Sequence, residues 1–323
     1  MNQYYFNDEL NIKDITEKSV DFIVITHPDQ DHTIGIKKVL ENFSVKKIYM
    51  NRPWKYVDDL FDKINDGRIT KESLARRLRE KYKTIADIED MAKEKNIPIY
   101  EAFEGTHIED ELLILSPEKQ YYLSLLVSSE KTPLEMSSAL QHDGTLLKFL
   151  ESVKDFALNI LETWDIETLR ESETTSAENE TSVILRGKVD GSGFILTGDA
   201  GIGSLNRAID YMEKIGENIV EDISFYQVPH HGGRHNVSPS VLNRMLGEKI
   251  EKGSSRNKVA FASVAQNSSH PLKMVTNAYI RRGVTIYKTN GNVICHHNGK
   301  MPDRRWVGLK SIEFSDYVEE WSN

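Results

Sequence analysis

The chain has 323 residues, 39% of them hydrophobic and 28% charged, a balance that fits a folded globular protein and excludes a disordered one. Its 50 acidic and 41 basic residues leave a formal charge of -9, which argues against nonspecific duplex binding by the field of the whole molecule while leaving room for a local basic groove. One cysteine, Cys295, excludes an internal disulfide and a multi-cysteine zinc site. No apolar run reaches spanning length and no signal-peptide pattern opens the chain, so a cytoplasmic protein with no membrane partner is expected.

Residues 1–20 are polar and lead into a strand expected over 21–25. The next stretch, Thr26-His27-Pro28-Asp29-Gln30-Asp31-His32, sits between that buried strand and a helix expected over 33–43. His27, Asp29 and Asp31 alternate, which aims them together off an extended segment, and His32 follows at once. Two imidazoles and two carboxylates suit a divalent cation such as Zn2+ or Mn2+. The plainer reading is a polar turn in which Asp31 caps the helix.

A second strand is expected over 45–50, and strand, helix, strand implies parallel pairing. Residues 54–98 read as mostly helical, with Trp54 and Tyr56 as core anchors. The basic residues around 71–83 alternate with Glu72, Glu80 and Asp87 and read better as a solvated face than as a phosphate-binding one. A short strand over 111–115 is stopped by Pro117, and a second helical stretch follows, including 148–163, with a polar loop at 171–176. Strands over 182–186 and 194–197 flank Asp190-Gly191, a hairpin signal. Helices over 204–215, 239–250 and 271–282 then alternate with strands over 223–228 and 259–264, before a closing strand pair at 284–288 and 292–295.

Three of these strands end in an acid or a histidine: at residues 27–32, at Asp199, and at His230-His231. Strand ends are where α/β sites are built. Together the three clusters supply enough ligands for two cations bridged by a carboxylate, a site that acidifies bound water and offsets charge on a departing oxygen.

With Leu112-Leu113-Ile114-Leu115-Ser116-Pro117, Asn179-Glu180-Thr181-Ser182-Val183-Ile184-Leu185, Leu196-Thr197-Gly198-Asp199-Ala200, Val228-Pro229-His230-His231-Gly232 and Ser269-His270-Pro271 added to the first cluster, the chain resembles the metallo-β-lactamase superfamily. Within it the likeness is to the hydrolase domain of ComEC-type competence proteins, over residues 21–290. The resemblance implies an α/β fold, an αββα four-layer sandwich with the metals at one edge. It implies a single domain over 1–323 carrying helical insertions at about 51–105 and 118–175. It also implies a metal-dependent hydrolase, a phosphodiesterase or nuclease, with two divalent ions, Zn2+ or Mn2+, and a metal-bound hydroxide as nucleophile. His27 and Asp29 would hold the first metal, Asp31 and His32 the second, and Asp199 would bridge. His231 matches the final metal histidine, leaving His230 to contact a substrate oxygen. Asp31 would orient or deprotonate the nucleophile, and His270 would contact substrate or protonate the leaving group.

The sequence departs from that pattern in three places. Asp29 stands where a histidine is usual, an oxygen ligand that favours Mn2+. The middle metal histidine is replaced by Glu178-Asn179-Glu180-Thr181, which implies a weakly held first metal. Only about 20 polar residues precede the first cluster, so an open sheet edge is expected, met by a partner chain or by self-association. A nucleic-acid substrate would need a basic path to the metals, for which 68–83, Arg234, Arg281 and Arg282 are the candidates. The alternative to an enzyme is an inactive or weakly active interaction module on the same fold.

Overall fold

The computed structural model describes residues 18–61, 63, 70–129, 159–189, 191–297 and 307–321. The described chain opens with β1 (Ser19–Val20), β2 (Ile23–Val24), α1 (Gln30–Asn42), β3 (Ser44–Val45) and β4 (Ile48–Tyr49). β1 pairs with β3 and β2 with β4, both parallel, as the strand–helix–strand pattern predicts. α1 begins at Gln30 rather than Thr33, because Asp29 is its extended N-cap residue (φ -68, ψ 149) and the Asp29 carbonyl accepts from Thr33 Oγ1 at 2.9 Å. The alternation expected through Asp31 therefore stops at Asp29. His27 and Asp29 leave an extended segment, whereas Asp31 and His32 project from the first helical turn, where a carboxylate is favoured by the helix dipole.

A short 3-10 turn (Pro53–Tyr56), α2 (Val57–Phe61), α3 (Lys71–Lys81) and α4 (Lys83–Glu94) lead to β5 (Ile99–Tyr100), which pairs parallel with β4. Residues 50–98 thus connect β4 to β5, two parallel strands of the small sheet. Their Trp54, Tyr56, Leu74, Leu78, Ile85 and Ile88 share one buried cluster with Ile25, Leu40 and Ile48. Charged residues of α3 and α4 are paired: Lys71 with Asp58 and Lys83 with Asp87 on the surface, and Arg79 with exposed Asp90 and with buried Glu89.

The remaining elements are β6 (His107–Ile108), β7 (Leu112–Ser116), α5 (Lys119–Ser128), β8 (Asn159–Leu161), α6 (Ala177–Glu180), β9 (Ile184–Val189), β10 (Ser192–Leu196), α7 (Ile202–Lys214), α8 (Ile219–Asp222), β11 (Ile223–Gln227), a second 3-10 turn (Pro229–Gly232), α9 (Pro239–Leu246), β12 (Lys258–Ala262), α10 (Lys273–Arg281), β13 (Val284–Lys288) and β14 (Tyr317–Glu319). Seven strands form one sheet in the order β13-β12-β11-β10-β9-β7-β6. β9 and β10 are the expected hairpin, in register Ser192↔Val189, and β10 to β13 run parallel. The crossover helices α7, α9 and α10 bury Leu205, Ile209 and Met212, then Val241 and Met245, then Met274 and Val275, into the largest cluster with Ile195, Tyr226 and Ala260.

Two expected elements are corrected. Of the helix expected over 148–163, residues 148–158 lie outside the described residues, and Asn159–Leu161 is strand, paired antiparallel with β14. Residues 292–295 are not strand. Just beyond them, the His296 ring stacks on Phe225 of β11 at 4.9 Å and meets Phe261 of β12 edge-on.

The fold is mixed α/β, with one large sheet and helices packed on it. A third cluster takes Tyr49 with Phe22 and Val24 from the first part of the chain and Ile114, Val183 and Leu185 from the second. The two parts are joined where the Val183 amide donates to the Thr26 carbonyl at 3.0 Å, one residue before His27. No helix among the described residues is long and apolar enough to cross a membrane.

Candidate metal centre

The candidate donors sit beyond the carboxyl ends of strands that run parallel within their sheets. β2 leads to His27 and Asp29, β10 runs into Thr197-Gly198-Asp199, and β11 into Pro229-His230-His231. Asp199, almost fully buried, is at the centre. Its Oδ1 is 3.2 Å from His32 Nε2, and its Oδ2 is 3.7 Å from both His27 Nε2 and His230 Nε2. Asp31 Oδ2 is 3.5 Å from His32 Nε2 and 3.3 Å from His231 Nε2, while Asp29 Oδ2 is 3.9 Å from His27 Nε2. Donor atoms of Asp31, His32, Asp199 and His231 all lie within 4.8 Å of one another.

These distances test whether cations fit. Two donors each about 2.0–2.1 Å from a tetrahedral ion are about 3.4 Å apart. The contacts of His32 with Asp199 and Asp31, and of His231 with Asp31, match that spacing. The His27 contacts are wider by a few tenths of an ångström. His27 Nε2 is also buried with no hydrogen-bond partner, an arrangement that is costly for an imidazole nitrogen and suited to a cation ligand. The residues present therefore fit a divalent metal, more closely on the His32 side than on the His27 side.

In three of the imidazoles the other ring nitrogen is held from behind, as ligand imidazoles usually are. His27 Nδ1 is 3.0 Å from Thr26 Oγ1, His231 Nδ1 is 2.5 Å from the Ser263 carbonyl oxygen, and His230 Nδ1 is 2.9 Å from Asn236 Oδ1. The Asp199 amide donates to Ser182 Oγ at 3.1 Å. These orienting residues lie outside the three clusters, and only Thr26, next to His27, carries a signal that sequence reading could have used.

Electrostatics follow the same division. Burial, then the neighbouring His32, pushes the His27 pKa down to about 4. A hydrogen bond to Asp31 raises His231 to about 9, and the same bond holds the Asp31 carboxyl well below the usual carboxylate range. Burial opposes the proton on His32, but Asp199 and then Asp31 overcome this and hold its pKa above the ordinary value. Burial likewise opposes the charge on Asp199, and His32, His230 and His27 outweigh it and keep its pKa low.

His270 belongs to a loop pressed on the histidine turn. A Cβ at Gly232 would come within 2.3 Å of Pro271 Cβ, and the Leu272 amide donates to the Gly232 carbonyl at 3.2 Å. The stretch that stands in place of a middle metal histidine has its own duties. Glu180 accepts from the Gly203 and Ser204 amides at the start of α7, and Asn179 Nδ2 lies 3.3 Å from His230 Nδ1.

The expected basic path is not formed by the three arginines proposed for it. Arg281 and Arg282 are fully buried and pair with Glu162 and Glu167, and buried Arg234 donates to the Glu320 carbonyl. Their guanidinium groups hold the last helix and the last strand in place.

A family model described as the Metallo-beta-lactamase superfamily matches residues 3–98, the stretch that contains His27 to His32, and over that stretch the chain is similar to the superfamily. No curated protein matches the chain.

Proposed function

We propose that this chain is a metal-dependent hydrolase of phosphodiesters, resembling ComEC-type enzymes of metallo-β-lactamase fold. The observation that carries the reading is the spacing of Asp31, His32, Asp199 and His231 around one ion-sized point, with the unpaired nitrogen of His27 beside it. His27 and Asp29 would hold one divalent ion, Asp31, His32 and His231 a second, and Asp199 both; Zn2+ and Mn2+ suit this mixed set of nitrogen and oxygen donors. Bound there, the ions would lower the pKa of water and offset charge on the departing oxygen.

The protein's own groups divide the remaining work. Asp31, the most exposed of the three candidate carboxylates (59% of its side chain), would orient the attacking water or take its proton. In the metal-free protein a hydrogen bond from His231 keeps this carboxyl ionised and ready to meet a cation. His270, on the loop packed against Gly232, is the acid for the leaving oxygen. The fold supporting this arrangement is a four-layer one, helices–sheet–sheet–helices, a reading supported by the three hydrophobic clusters, one on each outer side and one between the sheets.

A small phosphodiester fits the surface better than a long nucleic acid, because Arg234, Arg281 and Arg282 are committed inside the protein. The test is a screen of the Mn2+- or Zn2+-loaded protein against a small chromogenic phosphodiester, single-stranded DNA and RNA, with Asp31→Ala alongside. Cleavage of the small diester, lost in folded Asp31→Ala, is expected. Full cleavage by Asp31→Ala would sink the mechanism, and a protein that takes up no metal would leave the interaction-module reading in its place.

A further inference from the structure

We infer that His230 is a ligand of the first metal position, in place of the histidine missing at 178–181, and that Asn236 is the residue that aims it. The inference rests on the hydrolase reading above. It reverses the expectation that His230, occupying a glycine position of the family's turn, is left over for substrate.

The two imidazoles nearest Asp199 Oδ2 are those of His27 and His230, each at 3.7 Å. The other oxygen of the same carboxylate faces His32. Asp199 therefore presents one oxygen to a His27–His230 pair and the other to the second cluster. His231 turns elsewhere, its Nε2 against Asp31. Adjacent residues reach opposite halves of the centre because both adopt left-handed backbone, with φ of 45 at His230 and 57 at His231. Non-glycine residues rarely take that conformation, and two in succession persist only where surrounding contacts impose it.

Hydrogen bonds select the tautomer of the neutral ring. Asn236 is buried, and its Nδ2 donates to the Asp199 and Ala200 carbonyls at 2.9 and 3.3 Å. Two carbonyl acceptors on that side settle which end of the amide is which. Its oxygen must then be the atom 2.9 Å from His230 Nδ1. An oxygen there only accepts, so the proton sits on Nδ1 and the lone pair of Nε2 points toward Asp199 Oδ2. A residue kept for hydrogen-bonding a substrate oxygen would need the proton on Nε2, the opposite tautomer. Asn179 Nδ2, at the place of the missing histidine, also lies near Nδ1, but at 3.3 Å, longer than the 2.9 Å contact with Asn236 Oδ1, and the Asn179 amide donates to Thr175 Oγ1 at 2.7 Å.

The test uses the full chain, stripped of metal and reloaded with Zn2+, and reads bound zinc by elemental analysis. Wild type should hold two equivalents. His230→Gly, chosen because glycine accepts the left-handed backbone, should hold one. Asn236→Leu should weaken the more loosely held zinc at least tenfold, and nitrogen-15 spectra of its histidines should show His230 losing its single Nδ1–H tautomer. Should His230→Gly fail to fold, the same spectra on wild type decide: zinc must shift His230 Nε2 into the metal-bound range. A folded His230→Gly that keeps the wild-type zinc content, or a His230 Nε2 signal unmoved by zinc, overturns the inference and leaves the hydrolase reading standing. A wild type that binds no zinc overturns both.

Discussion

Asp31 and His231 meet across 200 residues of chain, with His231 Nε2 3.3 Å from Asp31 Oδ2. The contact raises His231 to about 9, so in metal-free protein at neutral pH this imidazole carries a proton. A metal ligand must be neutral, so uptake has to expel that proton. The folded pKa is above the ordinary histidine value, which places the competition below about 9. Metal affinity should therefore rise with pH, by up to about tenfold per unit for this one proton, and level off above that value. His27, at about 4, is already neutral and adds no such dependence at neutral pH. Calorimetric titration at pH 7.5 in buffers of different ionisation enthalpy should show at least one proton released. Proton-neutral binding would contradict the pairing.

The Glu162–Arg281 pair is fully buried, and Arg281 also donates to the Trp164, Thr163 and Ile166 carbonyls. Removing one partner strands the other charge away from water. Glu162→Gln should cost about 3–5 kcal/mol in a urea titration. Glu162→Leu combined with Arg281→Met should recover part of that loss, since no unpaired charge then remains. Because the pair anchors α10 to the segment after β8, zinc content should stay at the wild-type value wherever the variants remain folded.

Glycine at 232 is demanded twice, by its φ of +91 and by the Pro271 ring, which would lie 2.3 Å from a new Cβ. Gly232→Ala should cost about 1–3 kcal/mol from backbone strain alone and push the His270 loop away from the histidine turn. Gly35, inside α1 with nothing within 4 Å of an added Cβ, is the control. There alanine should stabilise by about 0.5–1 kcal/mol. Thermal melts of the two variants should move in opposite directions.

How much was legible in the sequence depended on how local the signal was. The β9–β10 hairpin, the buried strand at Leu112–Ser116 and the crossover helices were visible because periodicity and turn residues act over a few positions. The start of α1 was misplaced although Pro28-Asp29 offers an N-cap, because the alternation of His27, Asp29 and Asp31 imitates a strand. Arg281 and Arg282 looked like surface cations; the glutamates that bury them lie more than 100 residues away. The donor-rich turns could be picked out, but not which imidazole faces which carboxylate. That depends on two left-handed residues and on Asn236, whose amide is oriented by backbone carbonyls a sequence does not display.

The hydrogen bond from Val183 to Thr26 marks a seam between the first part of the chain, which supplies His27, Asp29, Asp31 and His32, and the large-sheet part, which supplies Asp199, His230 and His231. A cation held by donors from both parts ties together segments well over a hundred residues apart, and because the unfolded chain releases it, it stabilises only the state in which both parts are folded and joined. Filling the centre should then do more than enable chemistry: it should fuse two melting units into one. Calorimetry should show the metal-free protein unfolding in two steps, its β2–α1 part first, and the loaded protein in a single sharper transition at higher temperature.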